Sequence, residues 1–128
     1  MKEELIKLIR NSKSDYYNFP VVAILECFDG KTFNGVNIET SSPAAGVCAE
    51  RCALYSAIAN GYKKNDFKAL HIMSASCEIV YPCMICRQSL LDLCPLGLDI
   101  VLYDADSDDV KHVTIEELTP YSFSKEDL

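Results

Sequence analysis

Four cysteines in two short segments are the residues of this sequence with the clearest capacity for chemistry. Cys48 and Cys52 lie four residues apart in "VCAERCALYS", and Cys83 and Cys86 form a Cys-x-x-Cys pair in "YPCMICRQ". Cysteine thiolates at such spacings are common zinc ligands. If all four bind, the metal is enclosed and only stabilises the fold. If three bind, one position is open for water, and the site can be catalytic.

The residues between Cys48 and Cys52 bear on the choice between these two sites. Three thiolates already outweigh the two positive charges of Zn²⁺, and a fourth would leave Glu50 beside a more anionic cluster. With three cysteines and a water, Glu50 can accept the proton of that water, and Arg51 can donate to the sulfurs and offset their charge. We therefore favour three ligands, and we expect Cys52 to be a core residue on an Ala-rich helix. A closed four-cysteine site is the alternative. The three predicted ligands are Cys48, Cys83 and Cys86.

The elements that must position these cysteines follow from the spacing of apolar and turn residues. Helices are predicted over 3–14, 48–61 and 86–94, and a Thr-x-x-Glu capping box opens a short helix at 114–118. Strands are predicted over 19–28, 32–38, 69–76, 99–105 and 110–115. The first two strands are joined by a hairpin turn.

The order of these elements predicts an α/β fold. Strand–helix–strand connections imply parallel strands, whereas the first hairpin is antiparallel. We expect a three-layer α/β/α sandwich with a mixed five-stranded sheet, formed by residues 1–128 as a single domain. Cys48 and the Cys83/Cys86 pair then lie at the N-terminal ends of two helices. The positive end of a helix lowers the pKa of a cysteine there and favours the thiolate.

Composition narrows the partners and the compartment. The chain is 49% apolar and 24% charged, as in ordinary globular proteins, and its net charge of −7 argues against a nucleic-acid polymer as partner. We expect neither a signal peptide nor a membrane span. Seven cysteines, an odd number, favour a reducing cytoplasm and metal binding over disulfides. Three of them are expected to be small core residues: Cys27, Cys77 and Cys94.

Cys48-Ala49-Glu50 followed by Pro82-Cys83-x-x-Cys86 resembles the signature of the zinc-dependent deaminases in its three-cysteine form. The similarity to the small homotetrameric cytidine deaminases extends over nearly the whole chain. It is carried by the segments "YYNFPVVAIL", "GVNIE", "CAERCALYSAI", "PCMICRQ" and "TIEELTPYSFSKEDL". Polynucleotide and deoxycytidylate deaminases typically have histidine at the position of Cys48, so cysteine there indicates the free-nucleoside branch.

This resemblance implies an enzyme of pyrimidine salvage with one Zn²⁺ per subunit. The implied reaction is hydrolytic deamination of cytidine and 2′-deoxycytidine to uridine and 2′-deoxyuridine, with release of ammonia. A zinc-bound hydroxide attacks C4 of the base, and Glu50 is the catalytic residue that carries protons from the water to N3 and to the amine. The resemblance also implies a cytoplasmic homotetramer with active sites shared between subunits, and a small nucleoside as ligand.

Substrate-binding residues are also implied by the resemblance. Asn37 and Glu39 point to the same side of an extended segment and suit a sugar hydroxyl, which is the ribose 3′-hydroxyl in this family. Phe19 stands at the position that packs on the pyrimidine ring. The main-chain groups of Ala49 and Tyr81 bind the amide edge of the base and receive the amine.

Two residues, Phe123 and Pro43, are expected near the edge of an active site, where subunits meet. Phe123 matches a C-terminal aromatic residue that the family places near a binding site. Pro43 stands where many members have an aromatic residue, in the loop that reaches toward a neighbouring active site. The closure of the site in this chain is therefore an open question at the level of sequence.

Two other functions compete with cytidine deamination. Deaminases of modified cytosine nucleosides such as blasticidin S resemble this chain around the zinc. In general they retain the Asn-x-Glu pair and the arginine after the catalytic glutamate less faithfully. This chain has both features, with Glu39 and Arg51, which favours cytidine. A non-catalytic module stabilised by four cysteines would use Cys52 as a ligand. Such a module has no need for a carboxylate at Glu50, which argues against it.

Overall fold

The computed structural model describes residues 1–75 and 78–128. Within these residues the strands are β1 (Val21–Cys27), β2 (Thr32–Val36), β3 (Phe67–Ser74), β4 (Asp99–Asp104) and β5 (Val110–Thr114). The helices are α1 (Lys2–Ile9), α2 (Ala49–Ala59), α3 (Met84–Leu93) and α4 (Ile115–Leu118). Single 3₁₀ turns occupy Pro43–Ala45, Lys64–Asp66 and Lys125–Asp127.

The strands of the described residues form one mixed sheet in the order β2-β1-β3-β4-β5. Strand β1 is antiparallel to both β2 and β3, whereas β3 and β4 are parallel and β5 returns antiparallel to β4. The parallel pair is the one joined through α3, as the strand–helix–strand rule predicts. The predicted mixed five-stranded sheet is confirmed.

Alternate residues of β1 face two different helical layers. Ala23 and Leu25 belong to the apolar cluster that includes the buried side chains of α2 and α3. Val22 and Ile24 point to the other face, where they pack with Leu5 of α1. Because a strand directs successive side chains to opposite faces, β1 is covered on both sides, and the α/β/α arrangement is confirmed.

Burial of the cysteines outside the predicted ligand set agrees only in part with expectation. Cys27 and Cys94 are buried in the core, as predicted, and Cys77 lies outside the described residues. Cys52 is half-buried and does not belong to the core, contrary to the prediction. The buried stripe of α2 runs through Ala49, Ala53 and Ala57, and Cys52 precedes the stripe by one residue, which is a rotation of about 100° on a helix.

Helix α1 ends at Ile9, so the prediction of a helix over 3–14 was wrong in its second half. The chain beyond it runs beside the segment that follows β2. The amide of Lys13 donates to the carbonyl of Asn37 at 3.0 Å, and the amide of Glu39 donates to the carbonyl of Lys13 at 2.8 Å. This non-local pairing outweighs the weak helical preference of a segment containing Asn and Ser.

Gly35 of β2 allows helix α2 to lie very close to the sheet. A Cβ at this position would be 2.2 Å from the carbonyl oxygen of Ala49 and 2.5 Å from the amide nitrogen of Ala53. Any larger residue would therefore displace the helix. Through this contact the sheet fixes the N-terminal end of α2, where Cys48 is the capping residue.

None of the helices in the described part of the chain has the length and apolar character needed to cross a membrane.

Candidate active site

Two helix N-termini bring three cysteines into one cluster. Cys48 is the N-cap of α2, Cys83 is the N-cap of α3, and Cys86 lies in the first turn of α3. Their Sγ atoms all lie within 4.8 Å of one another, and those of Cys48 and Cys83 are 3.7 Å apart. Tetrahedral zinc with Zn–S bonds of about 2.3 Å needs sulfurs separated by about 3.8 Å, so these three donors fit zinc. Cys52 is not part of the cluster.

Arg51 contacts two of the three sulfurs at once. Its Nε donates to Sγ of Cys86 at 3.4 Å, and its Nη2 donates to Sγ of Cys48 at 3.5 Å. Hydrogen bonding with Cys86, followed by that with Arg51, lowers the pKa of Cys48 to about 5. The contact with Cys48, together with burial, raises the pKa of Cys86. The guanidinium is thus placed where its positive charge can offset the negative charge of the cluster.

Glu50 and two of the cysteines line one cavity of about 220 Å³. The Glu50 side chain is almost fully enclosed, with 5% of the residue exposed. Burial raises the pKa of its carboxyl, and the charge of Cys48 acts in the same direction. A buried carboxyl group with a raised pKa holds a proton more readily than an exposed one, which suits an acid–base role. The cavity is also lined by Phe19, Val21, Asn37, Ala49, Ile72, Val80 and Tyr81.

The amide of Asn37 is held at the end of β1. Its Oδ1 accepts hydrogen bonds from the amide of Val21 at 2.9 Å and from the hydroxyl of Ser12. Its Nδ2 donates to the carbonyl of Phe19 at 2.8 Å. An amide NH₂ has two protons, so these contacts among the described residues leave Asn37 one N–H to donate to a ligand.

The carboxylate of Glu39 is held just as firmly. Oε1 accepts from the amides of Tyr16 and Tyr17 at 2.9 and 3.0 Å, and Oε2 accepts from the hydroxyl of Ser14 at 2.7 Å. These hydrogen bonds hold the pKa of Glu39 below its usual value, and the bond from Ser14 makes the largest contribution. A carboxylate accepts about four hydrogen bonds, so these contacts leave one acceptor position on Oε2.

A second cavity of about 360 Å³ shares two lining residues with the first. Asn37 and Cys48 line both cavities, and Glu39 and Pro43 line only the second. Among the predicted substrate-binding residues, those that line the first cavity are Phe19, Asn37, Ala49 and Tyr81, and those that line the second are Asn37 and Glu39.

Phe123 is not brought into either cavity of its own chain. It is 59% exposed and lines a separate groove with Met84 and Arg87. Its carbonyl oxygen accepts a hydrogen bond from Nε2 of Gln88 at 2.9 Å, which fastens the C-terminal segment to α3.

Ser12 and Ser14 contact the two predicted sugar-binding residues, Asn37 and Glu39, and the sequence reasoning missed both serines. Both were assigned to the end of the first helix, where an exposed serine has no evident role. Their spacing of two residues matches that of Asn37 and Glu39, but this signal has meaning only once the two segments are known to pair.

Comparisons with known proteins agree with this geometry. Residues 1–96 match the sequence profile of the cytidine and deoxycytidylate deaminase zinc-binding region. A cytidine deaminase of Sporosarcina psychrophila is 36% identical over 95% of this chain and 93% of its own. The 1.6 Å crystal structure of cytidine deaminase from Burkholderia pseudomallei has a TM-score of 0.88 and 35% identity over 94% of both chains. A blasticidin-S deaminase of Bacillus cereus is 34% identical over 82% of this chain and 77% of its own.

The sheet order and a three-cysteine zinc cluster beside a buried glutamate define the class of zinc-dependent deaminases. Within that class, the chain belongs to the cytidine deaminase family. Zinc is accordingly the cofactor, since the zinc-binding region of the family covers the three clustered cysteines.

Proposed function

We propose that this chain deaminates cytidine and 2′-deoxycytidine to uridine and 2′-deoxyuridine, with release of ammonia. The observation that carries the proposal is the enclosure of Glu50 in one cavity with Cys48, Cys83 and the amide of Asn37. The Glu50 carboxyl, the cysteines that would hold zinc and the amide proposed to bind the sugar are then within reach of one nucleoside. A purely structural zinc site would need neither the cavity nor the carboxyl.

Proton transfer falls to Glu50 in this proposal. Cys48, Cys83 and Cys86 would hold the zinc, which would supply a water of lowered pKa. Glu50 would take a proton from the attacking water and deliver it to N3 of the base. Once the hydroxyl has added to C4, Glu50 would take the proton of that hydroxyl and pass it to the exocyclic amine, which leaves as ammonia. Its raised pKa supports both steps, because a carboxyl that stays ionised throughout would be a poor acid.

Substrate is held by groups on either side of Glu50. Phe19 packs on the pyrimidine ring, and the main chain of Ala49 and of Tyr81 binds the amide edge and receives the amine. Asn37 has one N–H left to donate and Glu39 has one position left to accept. A hydroxyl group accepts and donates one hydrogen bond each, so the pair is complementary to the 3′-hydroxyl of the sugar.

We further propose a cytoplasmic homotetramer of pyrimidine salvage whose active sites are shared between subunits. The exposure of Phe123 outside its own cavity supports a role at a neighbouring subunit's site. So does the small loop around Pro43, which lines the second cavity without enclosing it. The cysteines left as free thiols in the described residues agree with a reducing compartment.

The ultraviolet change as cytidine becomes uridine tests the proposal. Zinc-loaded wild type should turn over cytidine, and Glu50→Gln should lower kcat by about 10² to 10⁴-fold while zinc content stays the same. Glu4→Gln, which changes an exposed glutamate of α1, is the control and should leave turnover unchanged. Unchanged turnover in Glu50→Gln would refute the mechanism. Turnover of blasticidin S in place of cytidine would favour the other deaminase function.

A further inference from the structure

Two serines lie opposite the two residues that we propose bind the sugar. The backbone bonds of Lys13 to the segment after β2 set the register between the two chains. In this register Ser12 meets Asn37 and Ser14 meets Glu39, both through side-chain hydrogen bonds. In each pair the serine stands 25 residues before its partner, as expected for paired extended segments that run in the same direction.

The hydroxyl of Ser14 also contacts the backbone of Phe19. Its Oγ accepts a hydrogen bond from the amide of Phe19 at 2.7 Å while donating to Oε2 of Glu39 at 2.7 Å. A serine hydroxyl has a single proton, so its donor is committed to the carboxylate. One hydroxyl thereby links the sugar-binding carboxylate to the backbone of the residue that packs on the base.

The orientation of Glu39 depends on Ser14 more than the orientation of Asn37 depends on Ser12. Oδ1 of Asn37 is held by the amide of Val21 as well as by Ser12, so the amide keeps its orientation without the serine. On Oε2 of Glu39, the oxygen with an acceptor position left for a ligand, Ser14 is the donor. The tyrosine amides hold the other oxygen, Oε1, of the same carboxylate.

We propose that Ser14 is a positioning residue for sugar recognition: it fixes Oε2 of Glu39 where a 3′-hydroxyl can donate to it. The inference rests on the proposed function, since it assumes a nucleoside in the two cavities. Ser14 touches no reacting atom and acts through Glu39. Its removal should therefore cost recognition of the 3′-hydroxyl specifically, and should affect the base and the metal chemistry far less.

A pair of substrates that differ in that one hydroxyl isolates this role. Wild type, Ser14→Ala and Ser14→Thr are compared by kcat/KM for 2′-deoxycytidine and for 2′,3′-dideoxycytidine. A hydrogen bond to a charged group is lost in the alanine variant, so the deoxy-to-dideoxy ratio of kcat/KM should fall about tenfold or more. The threonine variant retains a hydroxyl and should recover most of the ratio. Loss of the contact between Ser14 and the amide of Phe19 should lower kcat/KM equally for both substrates, so it does not change the ratio.

Ser107→Ala is the matched control. The hydroxyl of Ser107 donates to Oδ2 of Asp104 at 2.9 Å in the turn between β4 and β5, so the variant also removes a serine–carboxylate bond. It should leave the substrate ratio unchanged. An equal loss on both substrates in Ser14→Ala, or no loss on either, would overturn the inference.

Equilibrium binding separates failure of the inference from failure of the proposed reaction. The affinities of wild type and Ser14→Ala for 2′-deoxyuridine and 2′,3′-dideoxyuridine are measured by calorimetry, which needs no turnover. If wild type binds these products without deaminating cytidine, the reaction proposal fails, and Ser14 is still judged by the ratio of affinities. If wild type binds neither compound, both proposals fall.

Discussion

Gly35 of β2 and Ala49 of α2 are so close that a Cβ on the glycine would lie 2.2 Å from the alanine carbonyl oxygen. Ala49 stands between Cys48 and Glu50, so this contact positions a metal ligand and the proposed proton carrier together. A close backbone contact between α2 and the sheet is thus located at the end of the helix that carries Cys48 and Glu50. The glycine is required by the site as much as by the fold.

Gly35→Ala should therefore cost both stability and metal. We expect the free energy of unfolding to fall by about 1–3 kcal/mol, as for other overpacked sites, and zinc content to fall because the N-terminus of α2 must shift. Denaturant unfolding and zinc analysis measure the two effects. Gly97→Ala is the control, because a Cβ at Gly97 meets nothing within 4 Å. Full zinc content in Gly35→Ala would show that the cluster tolerates displacement of α2.

Cys48→Ser and Cys52→Ser should differ sharply in zinc content. The sulfur of Cys48 lies in the cluster and that of Cys52 does not, although the two residues are one helical turn apart. We expect zinc to be lost from the first variant and retained at one equivalent by the second, as measured by metal analysis after dialysis. Loss of zinc from both variants would restore the four-cysteine alternative.

Arg51→Gln should weaken zinc binding without abolishing it. The guanidinium donates to the sulfurs of Cys48 and Cys86 at 3.5 and 3.4 Å, and residues that support metal ligands in this way typically contribute 10- to 100-fold in affinity. Competition with a chromophoric chelator measures the change. Arg10→Gln, which alters an exposed arginine of the turn after α1, should bind zinc as wild type does. Equal affinities for the two variants would contradict the charge-compensating role.

The zinc cluster could be predicted from sequence because its determinants are local. Cys48 begins a helix whose start is evident from the residues that follow it. The helix predicted from Cys86 begins two residues earlier, at Met84, with Cys83 as its N-cap, so the Cys-x-x-Cys pair still lies at a helix start. Cys52 shows the limit of prediction from local sequence. Its helix was predicted correctly, but a shift of one residue relative to the buried stripe decides between core and half-exposed positions.

The serine pair lay beyond sequence reasoning for a different reason. Ser12 and Ser14 become functional candidates only through pairing with a segment 25 residues away, and two backbone hydrogen bonds of Lys13 set that pairing. Local propensity favoured continuing the first helix. Phe123 is a related case, since the local pattern does not show that its side chain lies in a groove beside α3, apart from the cavity of Glu50.

Glu39 should make the stability of the protein depend on acid pH. Hydrogen bonds from Ser14 and from the amides of Tyr16 and Tyr17 hold its folded pKa below the value of 4.5 expected in the unfolded chain. The carboxylate therefore contributes its full stabilisation above pH 4.5, and that contribution is lost as the pH falls from 4.5 through the folded pKa. The stability advantage of wild type over Glu39→Gln should shrink across this window and stay constant above it. Urea unfolding of both proteins at a series of pH values measures the difference, in which the other carboxylates cancel. A difference that does not change with pH would show that Glu39 is not held as an ionised acceptor.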